Sequence, residues 1–266
     1  MTFGIPSSSS STQSRYWIVI PATVLAVLAL LTLAGGRNTD WFIAWNTAAS
    51  AVPAFLWAGV TNIGSTSGAF ALLTGWLAWR PRWIAAAVLA VPAGALYTHA
   101  LKEFFAEPRP PAVLAPEQIH IVGEALRTNS FPSGHSATAF GFAAVVALCS
   151  LTTGTHRIAV LALALALLVA FSRVAVGAHW PLDIFAGGAG GWLCGAIGVW
   201  WSARWRFWAT PGGVRVLAVL MATLSVALLF EELGYPEGIW AQYVLAVWGL
   251  GGAFIALKTG ARRSAA

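Results

Sequence analysis

Long apolar segments recur along the sequence, and almost no charged residue interrupts them. The first runs from Tyr16 to Gly36, close to the length of about 20 residues that a helix needs to cross a bilayer. Only 9% of all residues are charged and 58% are hydrophobic, and the mean hydropathy is +0.74. A soluble protein of this size keeps a large surface in water, which such a composition cannot cover with polar groups. We therefore expect an integral membrane protein.

The spacing of the apolar segments predicts an all-α, polytopic membrane helix bundle of about eight transmembrane helices. The segments cover residues 16–36, 55–79, 83–105, 135–153, 158–177, 184–201, 213–230 and 239–257. The stretch 45–70 is rich in small and polar residues, so that part of it could instead form an interfacial or re-entrant helix. The connections are short except for an external segment, 106–133, and long loops in compact proteins are usually functional or disordered.

The positions of the charged residues predict the orientation in the membrane. If the N-terminus lies in the cytoplasm, ten of the 15 basic residues fall in cytoplasmic segments and all nine acidic residues fall on the opposite side. The ten are Arg15, Arg80, Arg82, Arg157, Arg204, Arg206, Arg215, Lys258, Arg262 and Arg263. This is the partition of the positive-inside rule. We expect both termini in the cytoplasm, and we interpret the basic pI of about 10.0 as an insertion signal rather than as a sign of nucleic-acid binding.

Two further features bear on the organisation of the chain. Residues 1–14 form a Ser/Thr-rich tail without charged side chains, which is expected to be disordered in the cytoplasm. The two cysteines, Cys149 and Cys194, lie in apolar runs with neither the spacing of a metal site nor the setting of a disulfide framework. We expect both to be small buried side chains.

Three short sequences place ionisable side chains at helix ends that the topology puts on one outer face. They read KEFFAEPRP at 102–110, FPSGHSATAF at 131–140 and SRVAVGAHWPLD at 172–183. Ionisable residues within or beside membrane spans are costly, and are therefore functional candidates. Three cations, two histidines and one carboxylate are expected at one depth: Lys102, Arg109, Arg173, His135, His179 and Asp183.

This set of residue types indicates chemistry on a phosphate group. Three cations would repel one another unless an anion lay between them, and arginine suits multidentate contact with phosphate oxygens. The start of the fourth predicted span offers backbone N–H groups, the Ser133 hydroxyl and the flexible Gly134 as an oxyanion cradle. Asp183 can orient the His179 ring and raise its nucleophilicity, and His135 could protonate a leaving oxygen. Two histidines with separate roles imply a phosphohistidine intermediate, and the carboxylates are too few for a two-metal phosphatase.

The three motifs resemble the three-part signature of the type 2 phosphatidic acid phosphatase superfamily. They read K-x6-RP at Lys102–Pro110, PSGH at Pro132–His135 and SR-x5-H-x3-D at Ser172–Asp183, and they match at every defining position and in order. The resemblance covers roughly residues 50–201, with the first span included. It implies a six-span phosphatase core over 15–206, which leaves 207–266 as an additional C-terminal transmembrane hairpin with a basic cytoplasmic tail.

The resemblance also implies a role for each site residue. His179 would be the nucleophile, Asp183 its orienting partner and His135 the general acid. The phosphate would be held, without a metal or another cofactor, by Lys102, Arg109, Ser133, Gly134 and Arg173.

The sequence is compatible with several functions. The leading one is hydrolysis of a lipid phosphomonoester or pyrophosphate at the periplasmic face of a bacterial inner membrane. Candidate substrates are undecaprenyl pyrophosphate, phosphatidylglycerol phosphate, phosphatidic acid and lipid A phosphates, so that the partners would be phosphorylated and other membrane lipids. A lipid phosphotransferase would use the same site. An anionic-lipid transporter predicts inverted repeats that the sequence does not show, and a haloperoxidase is disfavoured because no large soluble helical domain is present. Nothing in the sequence indicates an oligomeric state.

Overall fold

The computed structural model describes residues 8–151 and 155–264, and all regular structure in these ranges is helical. The helices are α1 (Ser8–Ala34), α2 (Asn38–Ala49), α3 (Ala54–Ile63), α4 (Thr66–Thr74), α5 (Pro81–Phe105), α6 (Pro110–Val113), α7 (Gly134–Leu151), α8 (His156–Ala175), α9 (Pro181–Arg204), α10 (Pro211–Leu228) and α11 (Ile239–Ser264). Three short 3-10 turns lie at Pro116–Gln118, Arg206–Ala209 and Pro236–Gly238. The predicted all-α bundle is confirmed.

In the described part of the chain, seven helices are long and apolar enough to cross a membrane: α1, α5 and α7 to α11. They correspond to seven of the eight predicted spans, and the remaining one, 55–79, is the pair α3 and α4. Helix α1 begins at Ser8 and therefore includes the second half of the tail predicted to be disordered. Residues 1–7 of that tail lie outside the described residues.

The α3–α4 pair is interrupted at Gly64 and Ser65. The Ser65 hydroxyl accepts a hydrogen bond from the Gly68 N–H at 2.9 Å and so caps α4, which satisfies one of the backbone donors that a helix start leaves unpaired. Gly64 permits a close approach, because a Cβ there would lie 2.5 Å from Val169 Cγ1 and 3.2 Å from His135 Cδ2. The interruption therefore lies directly beside the first turn of α7.

Helix α11 runs beside both halves of this interrupted pair. A Cβ on Gly59 of α3 would overlap the Trp240 ring, and one on Gly75, just after α4, would overlap the Trp248 ring. The Trp248 indole Nε1 also donates to the Leu72 carbonyl at 2.9 Å. The C-terminal helices are therefore packed into the bundle along α3 and α4.

Glycines bring α7 and α9 into close contact at the centre of the bundle. A Cβ on Gly191 would lie 2.2 Å from the Ala137 carbonyl oxygen, and one on Gly195 would lie 2.2 Å from the Gly141 carbonyl oxygen. Lipid tails are as apolar as the helix surfaces, so close packing through small residues is a main source of helix association in a membrane. The contact holds the first turns of α7 and α9 side by side at one end of the bundle.

One added methyl group at this contact should destabilise the fold. Gly191→Ala has no room beside the Ala137 carbonyl, so we expect a cost of about 1–3 kcal/mol and a lower apparent Tm in detergent. A thiol-reactive dye can follow unfolding, because Cys149 and Cys194 are buried cysteines outside any disulfide, as predicted. Gly251→Ala is the matched control, since nothing lies within 4 Å of a Cβ there. Equal Tm values for the two variants would contradict the close contact.

Candidate active site

The three sequence motifs meet at one end of the helix bundle. Lys102 lies in the last turn of α5 and Arg173 in the last turn of α8. Gly134 is the first residue of α7, and Asp183 lies in the first turn of α9, which begins at Pro181. A backbone hydrogen bond joins the N-terminal ends of α7 and α9, since the Ser133 N–H donates to the Asp183 carbonyl at 3.0 Å. The structure thus brings together the predicted site residues.

The ring of His179 lies between an acceptor and a donor. Its Nδ1 is 3.2 Å from Asp183 Oδ2, and its Nε2 is 3.1 Å from Arg109 Nη1. Because an arginine side chain can only donate, Nε2 is the acceptor and carries the lone pair. Nδ1 therefore carries the proton and donates it to Asp183. The contacts select a neutral imidazole whose lone pair faces the cationic part of the site.

Burial lowers the pKa of His179 well below 6.5, because desolvation disfavours the charged form of the ring. The neighbouring cations lower this pKa further, and they include Arg109, Arg173 and Lys102, with His135 as a weaker contributor. The surrounding positive charge thus favours the neutral form of the His179 ring.

Asp183 accepts three hydrogen bonds on a single carboxylate oxygen. Its Oδ2 receives the Ser130 hydroxyl at 2.5 Å, the Trp180 N–H at 3.0 Å and the Nδ1 proton of His179. The side chain is buried, and a buried carboxylate needs such partners to remain charged. Ser130 lies just outside the three motifs and was missed by the sequence analysis. Its only signal in the sequence is its position directly before the segment 131–140.

Backbone carbonyls fix the two cations nearest the external segment. Arg109 donates through Nε to the Thr128 carbonyl at 2.7 Å and through Nη1 to the Ala178 carbonyl at 3.1 Å. Its Nη2 donates to the Asn129 carbonyl at 3.3 Å, and the Lys102 ammonium donates to the same carbonyl at 2.7 Å. Carbonyls of the segment 106–133 thus orient both cations.

The external segment is itself tied to the bundle by an asparagine that the sequence analysis did not single out. Asn46 of α2 accepts from the His120 N–H at 2.7 Å and donates to the His120 carbonyl at 2.9 Å. The same amide donates to the Val174 carbonyl at 3.0 Å. Asn46 therefore joins the segment to the end of α8, next to the buried Arg173.

Arg173 is held from two sides by residues outside the motifs. Its Nη1 donates to the Thr61 hydroxyl at 2.8 Å, and its guanidinium carbon lies 5.0 Å from the centroid of the Tyr235 ring. Its Nε has no hydrogen-bond partner among the described residues. Thr61 lies in α3 and Tyr235 in the loop between α10 and α11, and no sequence motif identified either of them.

The start of α7 has the geometry of an oxyanion cradle. The Ser133 hydroxyl accepts the Ser136 N–H at 3.3 Å, so this side chain caps the helix while its own proton stays available. A Cβ on Gly134 would meet nothing within 4 Å, which leaves the first turn of α7 open on that side. The positive end of the helix dipole lies here as well, which favours an anion.

A cavity of about 450 Å³ adjoins this first turn. Its polar end is bordered by Lys102, His135, Ser65 and Glu231. Small residues of α5, α7 and α9 line its deeper part, among them Ala87. Lys102 and Ala87 are separated by about 22 Å along α5 at the rise of a regular helix. The cavity therefore leads from the cationic site into the depth of the bundle.

Comparison with known proteins assigns this arrangement to a family. The family model described as the PAP2 superfamily matches residues 81–208, which contain all three motifs. The crystal structure of Aquifex aeolicus LpxE aligns with a TM-score of 0.53 at 30% identity, covering 60% of this chain and 93% of that one. The chain belongs to the PAP2 superfamily. The predicted resemblance is confirmed, although the range matched by the family model begins at residue 81, after α4.

Two curated relatives align with about a quarter of this chain. The undecaprenyl-diphosphatase of Sulfolobus acidocaldarius is 40% identical over 67 residues, which is 25% of this chain and 29% of that protein. The lipid A 1-phosphatase of Rhizobium etli is 47% identical over 66 residues, 24% of this chain and 26% of that protein. The chain thus aligns with less than a third of the length of either relative.

The His179 ring should stay neutral at pH 6, with its proton on Nδ1. A histidine with the ordinary pKa of about 6.5 is mostly charged at that pH, whereas a lowered pKa means that the ring gains a second proton only in more acidic solution. NMR of nitrogen-15-labelled histidines in detergent can measure this, with His179→Gln used to assign the signal. A midpoint at or above 6.5, or a proton on Nε2, would contradict the observed contacts.

Proposed function

We propose that this PAP2 protein is an integral membrane enzyme that hydrolyses a phosphomonoester or pyrophosphate group of a lipid. The observation that carries the proposal is the Nε2 lone pair of His179, which lies in a cationic pocket while Asp183 holds the other ring nitrogen. Such a lone pair can attack a phosphorus atom whose oxygens are neutralised by the surrounding cations. The names of the two curated relatives, both phosphatases, support the same reaction class.

The proposed reaction has two steps. Nε2 of His179 forms a bond to phosphorus while the bond to the leaving oxygen breaks. That oxygen takes a proton from the imidazolium form of His135, which the negative charge of the bound phosphate favours, and His135 becomes neutral. Asp183 stabilises the positive charge that the His179 ring acquires. A water molecule then gives a proton to His135 as its oxygen bonds to phosphorus, the P–N bond breaks and inorganic phosphate leaves. For the first step, Arg109 must transfer its hydrogen bond from Nε2 to a phosphate oxygen.

In this proposal the charge of the phosphate is balanced by side chains and backbone N–H groups, without a metal. The phosphate ligands are Lys102, Arg109, Ser133, Gly134 and Arg173. Within residues 8–151 and 155–264, no group of three or more His, Cys, Asp or Glu side chains is placed to hold a metal ion. Arginine and helix N-termini are both suited to phosphate oxygens.

The cavity beside His135 supports a lipid as the substrate. It begins at the proposed phosphate ligands and continues between α5, α7 and α9, where small residues leave room for a hydrocarbon chain. A soluble phosphate ester would not need a path into the apolar part of the bundle. The candidate substrates are undecaprenyl pyrophosphate, phosphatidylglycerol phosphate, phosphatidic acid and lipid A phosphates.

We further propose that the protein lies in a bacterial inner membrane, with both termini in the cytoplasm and the site facing the periplasm. The helix ends opposite the site carry basic residues: Arg80 precedes α5, Arg157 follows the start of α8 and Arg204 ends α9. Basic residues in short loops favour the cytoplasmic side. The site at the other end would then face outward.

Replacing the proposed nucleophile should abolish turnover. We expect His179→Ala to lose at least about 10³-fold in kcat on every lipid phosphate that the native protein hydrolyses, because the variant lacks the ring whose Nε2 would attack phosphorus. The measurement is release of inorganic phosphate in detergent, with monophosphate and pyrophosphate lipids compared. His120→Ala is the control, since this histidine is exposed, and it should keep native activity.

Two additions to the same assay, a chelator and orthovanadate, test the proposed mechanism. EDTA should leave the rate unchanged, and orthovanadate, which mimics five-coordinate phosphorus, should inhibit. Retained turnover by purified His179→Ala, or chelator inhibition that added metal reverses, would contradict the mechanism. A native protein that transfers phosphate to an acceptor lipid without releasing it would be a phosphotransferase instead.

Loss of the Ser130 hydroxyl should weaken catalysis through Asp183. A hydrogen bond to a charged group is worth about 1.5–3 kcal/mol, so Ser130→Ala should lower kcat/KM by about 10- to 100-fold if the full amount is lost from the transition state. Ser136→Ala is a matched control, because the Ser136 hydroxyl is buried nearby without a hydrogen-bond partner in the described part of the chain. Similar kcat/KM values for the two variants would show that Asp183 does not depend on Ser130.

A further inference from the structure

We propose that Tyr235 is a positioning residue for Arg173, so that the loop between α10 and α11 completes the phosphate site. The inference rests on the proposed function in taking Arg173 as a phosphate ligand. Tyr235 lies outside residues 81–208, the range matched by the family model. The C-terminal hairpin, which contains none of the three motifs, thereby acquires a part in binding the substrate.

The contact between the two side chains is buried and has the geometry of a cation–π interaction. The Arg173 guanidinium carbon lies 5.0 Å from the centroid of the Tyr235 ring, within the distance of about 6 Å at which such pairs attract. Arg173 is 1% exposed and Tyr235 is 4% exposed. Because this attraction is strongest where water is excluded, the ring can fix the plane of the guanidinium without neutralising its charge.

The hydrogen bonds of Arg173 show which of its donors remain available to a phosphate. Nη1 is occupied by the Thr61 hydroxyl at 2.8 Å, and that hydroxyl is 2.9 Å from the Ser172 hydroxyl. Nε and the Tyr235 hydroxyl are buried and have no hydrogen-bond partner among the described residues. Buried donors without partners are costly. A phosphate oxygen is a negatively charged acceptor that can satisfy the donor of the positively charged Arg173.

The position of the Tyr235 ring is fixed by contacts of its own loop. The preceding carbonyl, that of Gly234, accepts from the Glu124 N–H at 2.9 Å in the external segment. The carbonyl of Gly238 accepts from the Asn62 side chain of α3 at 3.0 Å. The loop is therefore tied on one side to the segment that orients Arg109 and on the other to the helix that holds Arg173 through Thr61.

The affinity for a phosphate-like anion measures this role directly and requires no turnover. The dissociation constant of orthovanadate can be obtained from its effect on the Tm of the full-length protein in detergent. We expect Tyr235→Leu to raise this constant about tenfold, which corresponds to about 1.4 kcal/mol and lies within the range of a desolvated cation–π contact. Tyr235→Phe keeps the ring and should restore a value within about twofold of the native one.

Three comparisons separate positioning from a merely structural effect. Tyr243→Leu, an exposed tyrosine on α11, should leave the constant unchanged. Tyr235→Met also lacks a ring, and its flexible side chain can fill much of the vacated space, so its constant should match that of Tyr235→Leu. In an Arg173→Gln background, Tyr235→Leu should cause no further loss, since the two residues act through one contact.

The outcomes distinguish this inference from the proposed function. Native vanadate affinity in both Tyr235→Leu and Tyr235→Met would overturn the positioning role, as would a full additional loss in the Arg173→Gln background. Absence of vanadate binding by the native protein would overturn it as well. A native protein that binds vanadate but hydrolyses no lipid phosphate would overturn the proposed function alone, and the affinities of the variants would still decide the role of Tyr235.

Discussion

The hydrogen bond between His179 and Asp183 is the interaction on which the rest of the site depends, because it decides which ring nitrogen carries the lone pair. An imidazole without a fixed acceptor can hold its proton on either nitrogen. Here Asp183 takes the Nδ1 proton at 3.2 Å, and Nε2 is left to face the cations. Asp183 can do this as a buried carboxylate only because Ser130 and the Trp180 N–H also donate to it. The loop before α7 and the first turn of α9 thus together hold the proton of His179 on Nδ1.

A second constraint is the excess of positive charge at the site, where Arg109 and Arg173 are buried and Lys102 is half-buried. Lys102, Arg109 and Arg173 share the site with Asp183, whose hydrogen bonds go to neutral groups rather than to these cations. Full pairing of the cations with acids would leave no field to attract a substrate anion. Neutral groups stabilise these cations instead: the Asn129 carbonyl accepts from Lys102 and from Arg109, and the Tyr235 ring faces Arg173. Carbonyl dipoles and an aromatic quadrupole lower the energy of a cation while its charge remains. This explains how three cations can be held close together while they still favour an anion.

Features that are local in sequence could be predicted, and features that depend on distant contacts could not. Seven spans follow from apolar length, and the motifs that contain Lys102, His135 and His179 follow from short spacings. Thr61 and Arg173 form a hydrogen bond although 112 residues separate them. The sequence around either residue gives no sign that the other is its partner. The interruption at Gly64 was hidden in the same way, because the small and polar residues of 45–70 are compatible with a continuous, an interfacial or a broken helix.

The C-terminal hairpin covers the interrupted pair α3–α4, whose free backbone groups must be kept away from lipid. An interruption in a membrane helix leaves backbone groups that lipid cannot satisfy, so it is tolerated only where protein or a polar cavity covers it. Here the Ser65 hydroxyl caps one side, the cavity next to His135 borders the other, and α11 lies along both halves. The absence of a side chain at Gly64 leaves room for the His135 ring beside the interruption, since a Cβ there would lie 3.2 Å from His135 Cδ2. The helices that cover this interruption also carry the loop with Tyr235, so that shielding the backbone and positioning Arg173 are performed by one element.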